Sequence, residues 1–245
     1  MGLLTSAVHI ALASLAVSVI CGALFVRRQN RLDQPYLSVA PFKVVVFSGC
    51  CIVLIFAIMQ NFAMSLLLPL HLQIAFGETA MMAGLLVIPP ILAMSITTLF
   101  SGRLIDRFGV WPLVPLGFVI LLAGQICVAL TAQTLEIWAL ILAALLVYGG
   151  AGLVQTPLQT HALKALPPAE NPSGVSLINV CMQTAAAIGP ALFVGVLSSA
   201  SARAALGGGS AVEAQVAGFT SATLVAAAIA LVGLIATIPL TRKRS

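Results

Sequence analysis

Charged residues divide this chain into long apolar stretches. Seven stretches contain no Asp, Glu, Lys or Arg over at least 24 residues. They are residues 1–26, 44–77, 79–102, 108–135, 137–163, 171–202 and 214–241. A helix needs about 20 apolar residues to cross the roughly 30 Å of hydrocarbon in a bilayer, so each stretch can hold one span. The stretches also lack the two-residue alternation of an outer-membrane barrel. The pattern therefore predicts an all-α, polytopic membrane protein with seven transmembrane helices.

The composition agrees with a membrane location and excludes several classes of protein. Of the 245 residues, 61% are hydrophobic and only 7% are charged, whereas an average soluble domain is about a quarter charged. This excludes a soluble enzyme, a disordered tail and a secreted disulfide scaffold. The five cysteines lie in the predicted spans without metal-binding spacing, so we interpret them as packing residues. Catalytic motifs do not occur, and we expect no enzyme, no metal and no cofactor.

The basic residues predict the orientation of the spans. If the seven helices alternate in direction, ten of the eleven Lys and Arg residues fall on one side of the membrane and only Arg203 falls on the other. The positive-inside rule makes the richer side cytoplasmic. We therefore predict an inner (plasma) membrane protein with its amino terminus outside and its carboxyl terminus in the cytoplasm. Anchoring to the lipid bilayer accounts for the net charge of +5, and no nucleic-acid partner is expected.

The charges and prolines divide the chain into four segments. These are a linker transmembrane helix at 1–26, a cytoplasmic loop at 27–43, a six-helix bundle at 44–241 and a basic cytoplasmic tail at 242–245. The six helices are expected at about residues 44–68, 79–100, 111–131, 136–161, 174–198 and 217–239. Proline within a helix removes a hydrogen bond and either kinks the helix or is merely tolerated. The candidate kink residues are Pro89, Pro90, Pro157, Gly189 and Pro190.

A charged motif joins the third and fourth predicted spans. Its sequence, GRLIDRFG, begins at Gly102 and fits the pattern G-x-L-x-D-R-x-G. We expect a tight cytoplasmic loop in which Gly102 and Gly109 make the turn and Asp106 accepts from helix-end amides or a basic side chain. Arg103 and Arg107 can pair with acidic groups or lipid phosphates. The motif is either a gating latch on the cytoplasmic side or a simple positive anchor.

This motif resembles the loop signature of the major facilitator superfamily. Two further segments narrow the resemblance to the fourteen-helix drug:proton antiporters of the EmrB/QacA type. The sequence LQIAFG at 72–77, followed by AGLLVIP at 83–89, is similar to an outer turn and helix entry of that group. The sequence SGVSLIN at 173–179, with Gln183 and AIGP at 187–190, resembles a later connection and the helix that follows it. The resemblance covers residues 27 to 244 and lies in the carboxyl-terminal half.

The resemblance implies an efflux transporter that works by alternating access. It also implies that the first six helices and one central helix are absent here, so that an amino-terminal half-transporter is a candidate partner. Proton coupling requires an ionisable group inside the membrane, and no carboxylate lies deep within any predicted span. We therefore expect protons to be handled by the missing half. The alternative is a non-transporting membrane fragment or a subunit that functions only when it assembles with a partner.

Amide side chains within the spans predict a substrate cavity. Two pairs lie one helical turn apart toward the cytoplasmic side, and three further amides lie toward the outer side. Together with Met64 they suit an amphipathic small molecule bound with low selectivity. The alternative is interhelical hydrogen bonding, worth about 1 kcal/mol for each bond. The candidate residues are Gln60, Asn61, Met64, Gln125, Gln155, Gln159, Asn179 and Gln183.

Overall fold

Six long α-helices form the described part of the protein. The structure, a computed structural model, describes residues 38–134 and 136–241, together with residues 17, 20–22, 24, 27 and 28. We number the helices α1 (Val45–Ala75), α2 (Ala80–Phe108), α3 (Val110–Thr134), α4 (Ile137–Lys164), α5 (Asn171–Leu206) and α6 (Ala211–Thr241). Short 3-10 turns at Ala40–Lys43 and Pro168–Glu170 precede α1 and α5. All six helices are long and apolar enough to cross a membrane.

This architecture confirms the predicted all-α membrane fold. The described residues contain no strand, and each of the six helices coincides with one of the charge-free stretches. The predicted linker helix at 1–26 and the basic tail at 242–245 lie largely or wholly outside the described residues, as does most of the predicted loop at 27–43. The prediction of a seventh span therefore rests on the sequence.

The helix boundaries differ from the sequence-based expectations. Every helix is longer than expected, and the largest differences are in α5, which begins at Asn171 and ends at Leu206, and in α6, which begins at Ala211 and ends at Thr241. Pro172 lies in the first turn of α5. A backbone N–H at this place would have no acceptor within the helix, so the proline removes no helical hydrogen bond. Charged residues at helix ends can extend into the headgroup region, so a helix continues beyond its purely apolar core.

The turn between α5 and α6 shows how these long helices are terminated. Gly208 adopts a positive φ of 86° after the end of α5. At the start of α6, the Glu213 N–H donates to Ser210 Oγ at 3.2 Å, and the Ser210 N–H donates to Glu213 Oε2 at 2.7 Å. This reciprocal pair is a capping box, and it satisfies backbone donors that have no partner within the helix. Four residues are therefore enough to join the 36-residue helix α5 to the 31-residue helix α6.

Helix α1 is the centre of the bundle. It packs against α2, α4, α5 and α6, and its buried side chains include Phe47, Leu54, Met64 and Leu68. In the most apolar stretch of 18 consecutive residues, 61% of the residues are buried in α1 and in α4, compared with 17% in α2 and 22% in α5. Helices α2 and α5 therefore leave a large part of their surface uncovered.

Glycines set the spacing and relative direction of the packed helices. A Cβ on Gly189 of α5 would lie 2.5 Å from the Met59 carbonyl oxygen of α1, and Gly174 of α5 lies beside Phe47 nearer the start of α1. These two contacts show that α1 and α5 run parallel. Similar contacts make α3 and α4 antiparallel, because Gly117 faces Val154 whereas Gly124 faces Val147. Small residues allow such close approach where no hydrophobic effect drives helices together.

The candidate kink prolines all lie inside helices. Pro89 and Pro90 are in α2, Pro157 is in α4 and Pro190 is in α5, and each helix continues through its proline. Gly189 has a clear packing role against α1. Whether these positions bend as the protein works remains a prediction.

We predict that Gly150→Ala separates α3 from α4. A Cβ at this position would lie 2.7 Å from the Leu121 backbone nitrogen, and backbone cannot move aside as a flexible side chain can. Overpacking of this kind lowers the free energy of unfolding by about 1–3 kcal/mol. The measurement is the melting temperature of the detergent-extracted chain, followed by fluorescence-detected size exclusion.

Gly195→Ala is the matched control, because nothing lies within 4 Å of a Cβ at that position in α5. Its melting temperature should be unchanged or raised, since Ala favours a helix over Gly by about 1 kcal/mol. Equal melting temperatures for the two variants would contradict the close packing of α3 and α4.

Candidate functional site

The G-x-L-x-D-R-x-G motif is part of a helix. The structure corrects the expected loop, because residues 101–108 form the last two turns of α2 and only Gly109 separates that helix from α3. Gly109 has a φ of 78°, and its N–H donates to the Ile105 carbonyl oxygen at 2.8 Å. A residue without a Cβ adopts this conformation at little cost. Gly102, by contrast, is helical and makes no turn.

The charged side chains of the motif point away from the bundle. Arg103, Asp106 and Arg107 are all exposed, and the described residues contain no ion pair that involves them. The Arg107 guanidinium lies 5.3 Å from the centre of the Phe108 ring, within the range of a cation–π contact. The helical geometry thus presents one acidic and two basic groups at the same end of α2. The choice between latch and anchor stays open.

Three of the predicted cavity residues come together inside the bundle. Gln60 and Met64 of α1 and Gln125 of α3 are buried, and all three line a cavity of about 10 Å³. Phe193 of α5 and Thr223 of α6 complete part of its wall. Drug-sized ligands occupy pockets of about 300–1,000 Å³. In this conformation, these three residues do not line a drug-sized space.

The remaining amides lie on α1, α4 and α5, and two of them contact thioethers. The Asn61 amide nitrogen donates to Met94 Sδ of α2 at 2.9 Å, and the Gln159 amide nitrogen approaches Met182 Sδ of α5 at 3.6 Å. Gln155, one turn before Gln159, is half-buried. We call these five residues the amide–thioether face. They belong to α1, α2, α4 and α5, which include the two helices with the most uncovered surface.

Helices α2 and α4 are in direct contact at this face. A Cβ on Gly152 of α4 would lie 2.7 Å from the Met94 carbonyl oxygen. Met94 is therefore next to the helix that carries Gln155 and Gln159. Asn179 and Gln183, the other predicted residues on α5, flank Met182 on either side and are exposed. The sequence-based prediction missed Met94, because nothing in the sequence distinguishes it from Met81 and Met82 of the same span.

The carboxylates of the described residues lie at the ends of the helices. Within the described residues, Glu78, Asp106, Glu136, Glu170 and Glu213 all lie at or beyond a helix terminus, which agrees with the expectation that no carboxylate lies deep in a span. No group of three or more His, Cys, Asp or Glu side chains in this part of the chain is placed to hold a metal ion.

His71 is one of the buried titratable side chains in the described part of the chain. It is fully buried near the carboxyl-terminal end of α1, where its ring stacks on Phe219 of α6 with the centroids 4.0 Å apart. Phe76 meets the same ring edge-on at 5.7 Å. These contacts give His71 the packing role of an aromatic residue between α1 and α6.

Comparison with known proteins identifies the family. The model of the Major Facilitator Superfamily matches residues 2–190. The chain is 34% identical to the uncharacterized MFS-type transporter YcnB of Bacillus subtilis, over 91% of this chain and 47% of that protein. It is 31% identical to the lincomycin resistance protein LmrB of Listeria innocua, over 76% of this chain and 41% of the relative. It is 28% identical to the multidrug efflux pump LfrA of Mycolicibacterium smegmatis, over 74% of this chain and 36% of that protein. The matched regions thus span less than half the length of these relatives.

We predict opposite effects for the two glycines of the motif. Gly109→Ala places a Cβ on a residue with positive φ and should lower the free energy of unfolding by about 1–2 kcal/mol. Gly102→Ala places a Cβ in open space within a helix and should raise it by about 0.5–1 kcal/mol. Thermal unfolding of the detergent-extracted chain measures both effects. If Gly102→Ala were the more damaging change, the helical assignment of residues 101–108 would be wrong.

Proposed function

The chain belongs to the Major Facilitator Superfamily, and we propose that it forms the carboxyl-terminal part of a multidrug efflux transporter. In this proposal the whole protein is a drug:proton antiporter that works by alternating access. The observation that carries the proposal is the uncovered surface of α2 and α5 beside the amide–thioether face. A six-helix bundle with such a surface is suited to pack against a second bundle. The relatives named for lincomycin resistance and multidrug efflux support the choice of substrate class.

The amide–thioether face is the proposed contribution of this chain to the substrate site. In transporters built from repeats, substrates bind near the bilayer midplane at the interface between the repeats. Amides can donate and accept hydrogen bonds, and thioethers adapt their shape to apolar groups. The five residues of the face carry no charge. Such a surface suits an amphipathic small molecule recognised with low selectivity.

Proton coupling is assigned to the other half of the transporter. A protonation change can bias two conformations only where an ionisable group changes its environment inside the membrane. The acidic side chains of the described helices all lie at their ends. The amino-terminal half is therefore the proposed source of the coupling carboxylates and the partner of this bundle. The charges of Arg103, Asp106 and Arg107 act in this scheme as a cytoplasmic latch between the halves.

The proposed topology follows the distribution of basic residues. Lys43, Arg103, Arg107 and Lys164 occupy the end of the bundle that we assign to the cytoplasm, whereas Arg203 lies at the opposite end. The amino terminus of the chain is then outside the plasma membrane and the carboxyl terminus inside.

A second candidate function is a membrane subunit that does not transport on its own. The uncovered surface of α2 and α5 favours it, because such a surface suits a partner bundle whether or not the assembly transports. The two functions are separated by expressing the chain in a drug-sensitive bacterium, alone and together with the coding sequence upstream of Met1. Ethidium accumulation and lincomycin sensitivity are the measurements. Export by the longer form alone supports the efflux transporter. If neither form exports the drugs, the result supports the membrane subunit that does not transport on its own.

We predict that Asp106→Asn in the complete transporter reduces export by at least tenfold while membrane insertion is retained. The change removes the only negative charge of the motif but preserves the shape of the side chain. Drug efflux from preloaded cells measures export, and size exclusion of the extracted protein measures insertion and folding. Glu170→Gln is the matched control, because it removes a carboxylate from another cytoplasmic connection outside the motif. Unchanged efflux for Asp106→Asn would contradict the role of the motif as a gating latch and would favour its role as a simple positive anchor.

We also predict that Gln159→Leu and Asn61→Leu weaken drug binding. Each change removes one amide from the amide–thioether face, and one interhelical or ligand hydrogen bond in a membrane contributes about 1 kcal/mol, which corresponds to about fivefold in affinity. The drug concentration that gives half-maximal export should rise by that factor. Gln133→Leu near the outer end of α3, where the side chain is exposed, should have no effect. Equal export kinetics for all three variants would place the substrate elsewhere.

A further inference from the structure

Two cysteines from different helices meet inside the bundle. Cys51 lies on α1 and Cys181 lies on α5, and their thiol groups are in hydrogen-bonding contact with each other. Cys51 is 2% exposed and Cys181 is 8% exposed, and both are free thiols. The contact therefore brings together two sulfur atoms that are far apart in the sequence.

The packing of α1 on α5 holds this pair at short range. A Cβ on Gly174 would lie 3.5 Å from the Phe47 ring, and a Cβ on Gly189 would lie 2.5 Å from the Met59 carbonyl oxygen. Because the two helices run parallel, the cysteine pair lies between these two glycine contacts. Glycine lets helix backbones approach closely. A disulfide needs Cα atoms within about 7 Å of each other, and closely packed helices can provide that separation.

The other cysteines are placed differently. Cys50 is buried next to Cys51 in the sequence, but successive residues of a helix are turned by about 100° about its axis. Cys127 lies on α3, and Cys21 is exposed and lies ahead of α1. The contact of Cys181 is thus with Cys51 alone.

The surroundings of the pair disfavour a structural metal. A structural zinc site takes four ligands from Cys, His or carboxylate groups. In the part of the chain that the structure describes, no third group of this kind joins the two thiols to hold a metal ion. The chemistry left to two neighbouring thiols is the formation of a bond between their sulfur atoms.

We propose that Cys51 and Cys181 are an oxidisable dithiol, which a small uncharged two-electron oxidant converts to a disulfide between α1 and α5. The two S–H bonds break, one S–S bond forms, and the thiols release two protons and two electrons. With molecular iodine as the oxidant, the I–I bond takes up the electrons and two iodide ions leave. The oxidant must be uncharged because the pair is buried within the spans, where charged groups are costly. This inference does not depend on the proposed transport function.

The disulfide would fasten the most central helix to one of the least covered helices. Helix α5 carries part of the uncovered surface, whereas α1 is surrounded by its neighbours. The bond would also close a loop that contains α2, α3 and α4. Closing a long loop restricts the unfolded chain and so favours the folded state. Oxidation should therefore raise the melting temperature of the chain without a change in its fold.

Oxidation of the detergent-extracted full chain tests the proposal. The chain is first reduced and then exposed to molecular iodine, and the remaining thiols are alkylated after denaturation. Mass spectrometry should find three alkylated cysteines instead of the five in the sequence, and one cross-linked peptide that joins Cys51 to Cys181. The melting temperature should rise by about 5–10 °C. Dithiothreitol should reverse both changes.

Serine variants show whether the bond is specific to this pair. Cys51→Ser and Cys181→Ser should each keep four alkylatable thiols after iodine, with no rise in melting temperature. Cys50→Ser is the matched control, because it removes the adjacent buried thiol and should still form the cross-link.

Five alkylated cysteines in the unmodified chain after iodine would overturn the proposal, as would a cross-link from Cys50 or Cys127 in place of Cys51. A disulfide between two copies of the chain, seen as a dimer on a non-reducing gel, would also contradict it. If a serine variant does not survive extraction, the peptide map of the unmodified chain decides the question.

Discussion

The bundle depends on the close approach of helix backbones at glycine. A bilayer offers no hydrophobic gain from bringing one apolar helix against another, so contact surface and shape must hold the helices together. Gly189 lets α5 lie on the backbone of Met59, and Gly117 and Gly150 bring α3 and α4 within contact distance. Helix α1 is surrounded by four others. The remaining features of the protein, including its buried amides, are arranged around that central helix.

The helices of the bundle are buried to different extents, and the proposed function depends on this difference. Helices α1 and α4 are largely buried, whereas α2 and α5 are largely uncovered. The amide–thioether face lies among these helices, and the charged end of α2 is exposed beside them. The chain spans less than half the length of the relatives that it matches, and we assign a second bundle to this open side. The same surface accounts for both candidate functions, because a second bundle is required in each.

The sequence predicted the spans well because the bilayer imposes a simple rule. Charged residues cannot lie deep in hydrocarbon, so the gaps between them locate the helices. The rotation of each helix about its axis was not predictable, since the spans are apolar on all sides and periodicity gives no inward face. Gln60 and Asn61 are adjacent in the sequence, yet one lines the buried cavity and the other contacts α2. The motif at residues 102–109 suits a loop or a helix, and only the full length of α2 decides between them.

The position of α1 restricts how this half of the protein can move. On one side its backbone at Met59 is in contact with Gly189, and on another the next turn reaches α2 through Asn61 and α6 through the cavity wall. Sliding or turning α1 by itself would break contacts with several neighbours at once. The six helices are therefore expected to tilt as one rigid body, with any hinge located in the connections outside the bundle rather than within it.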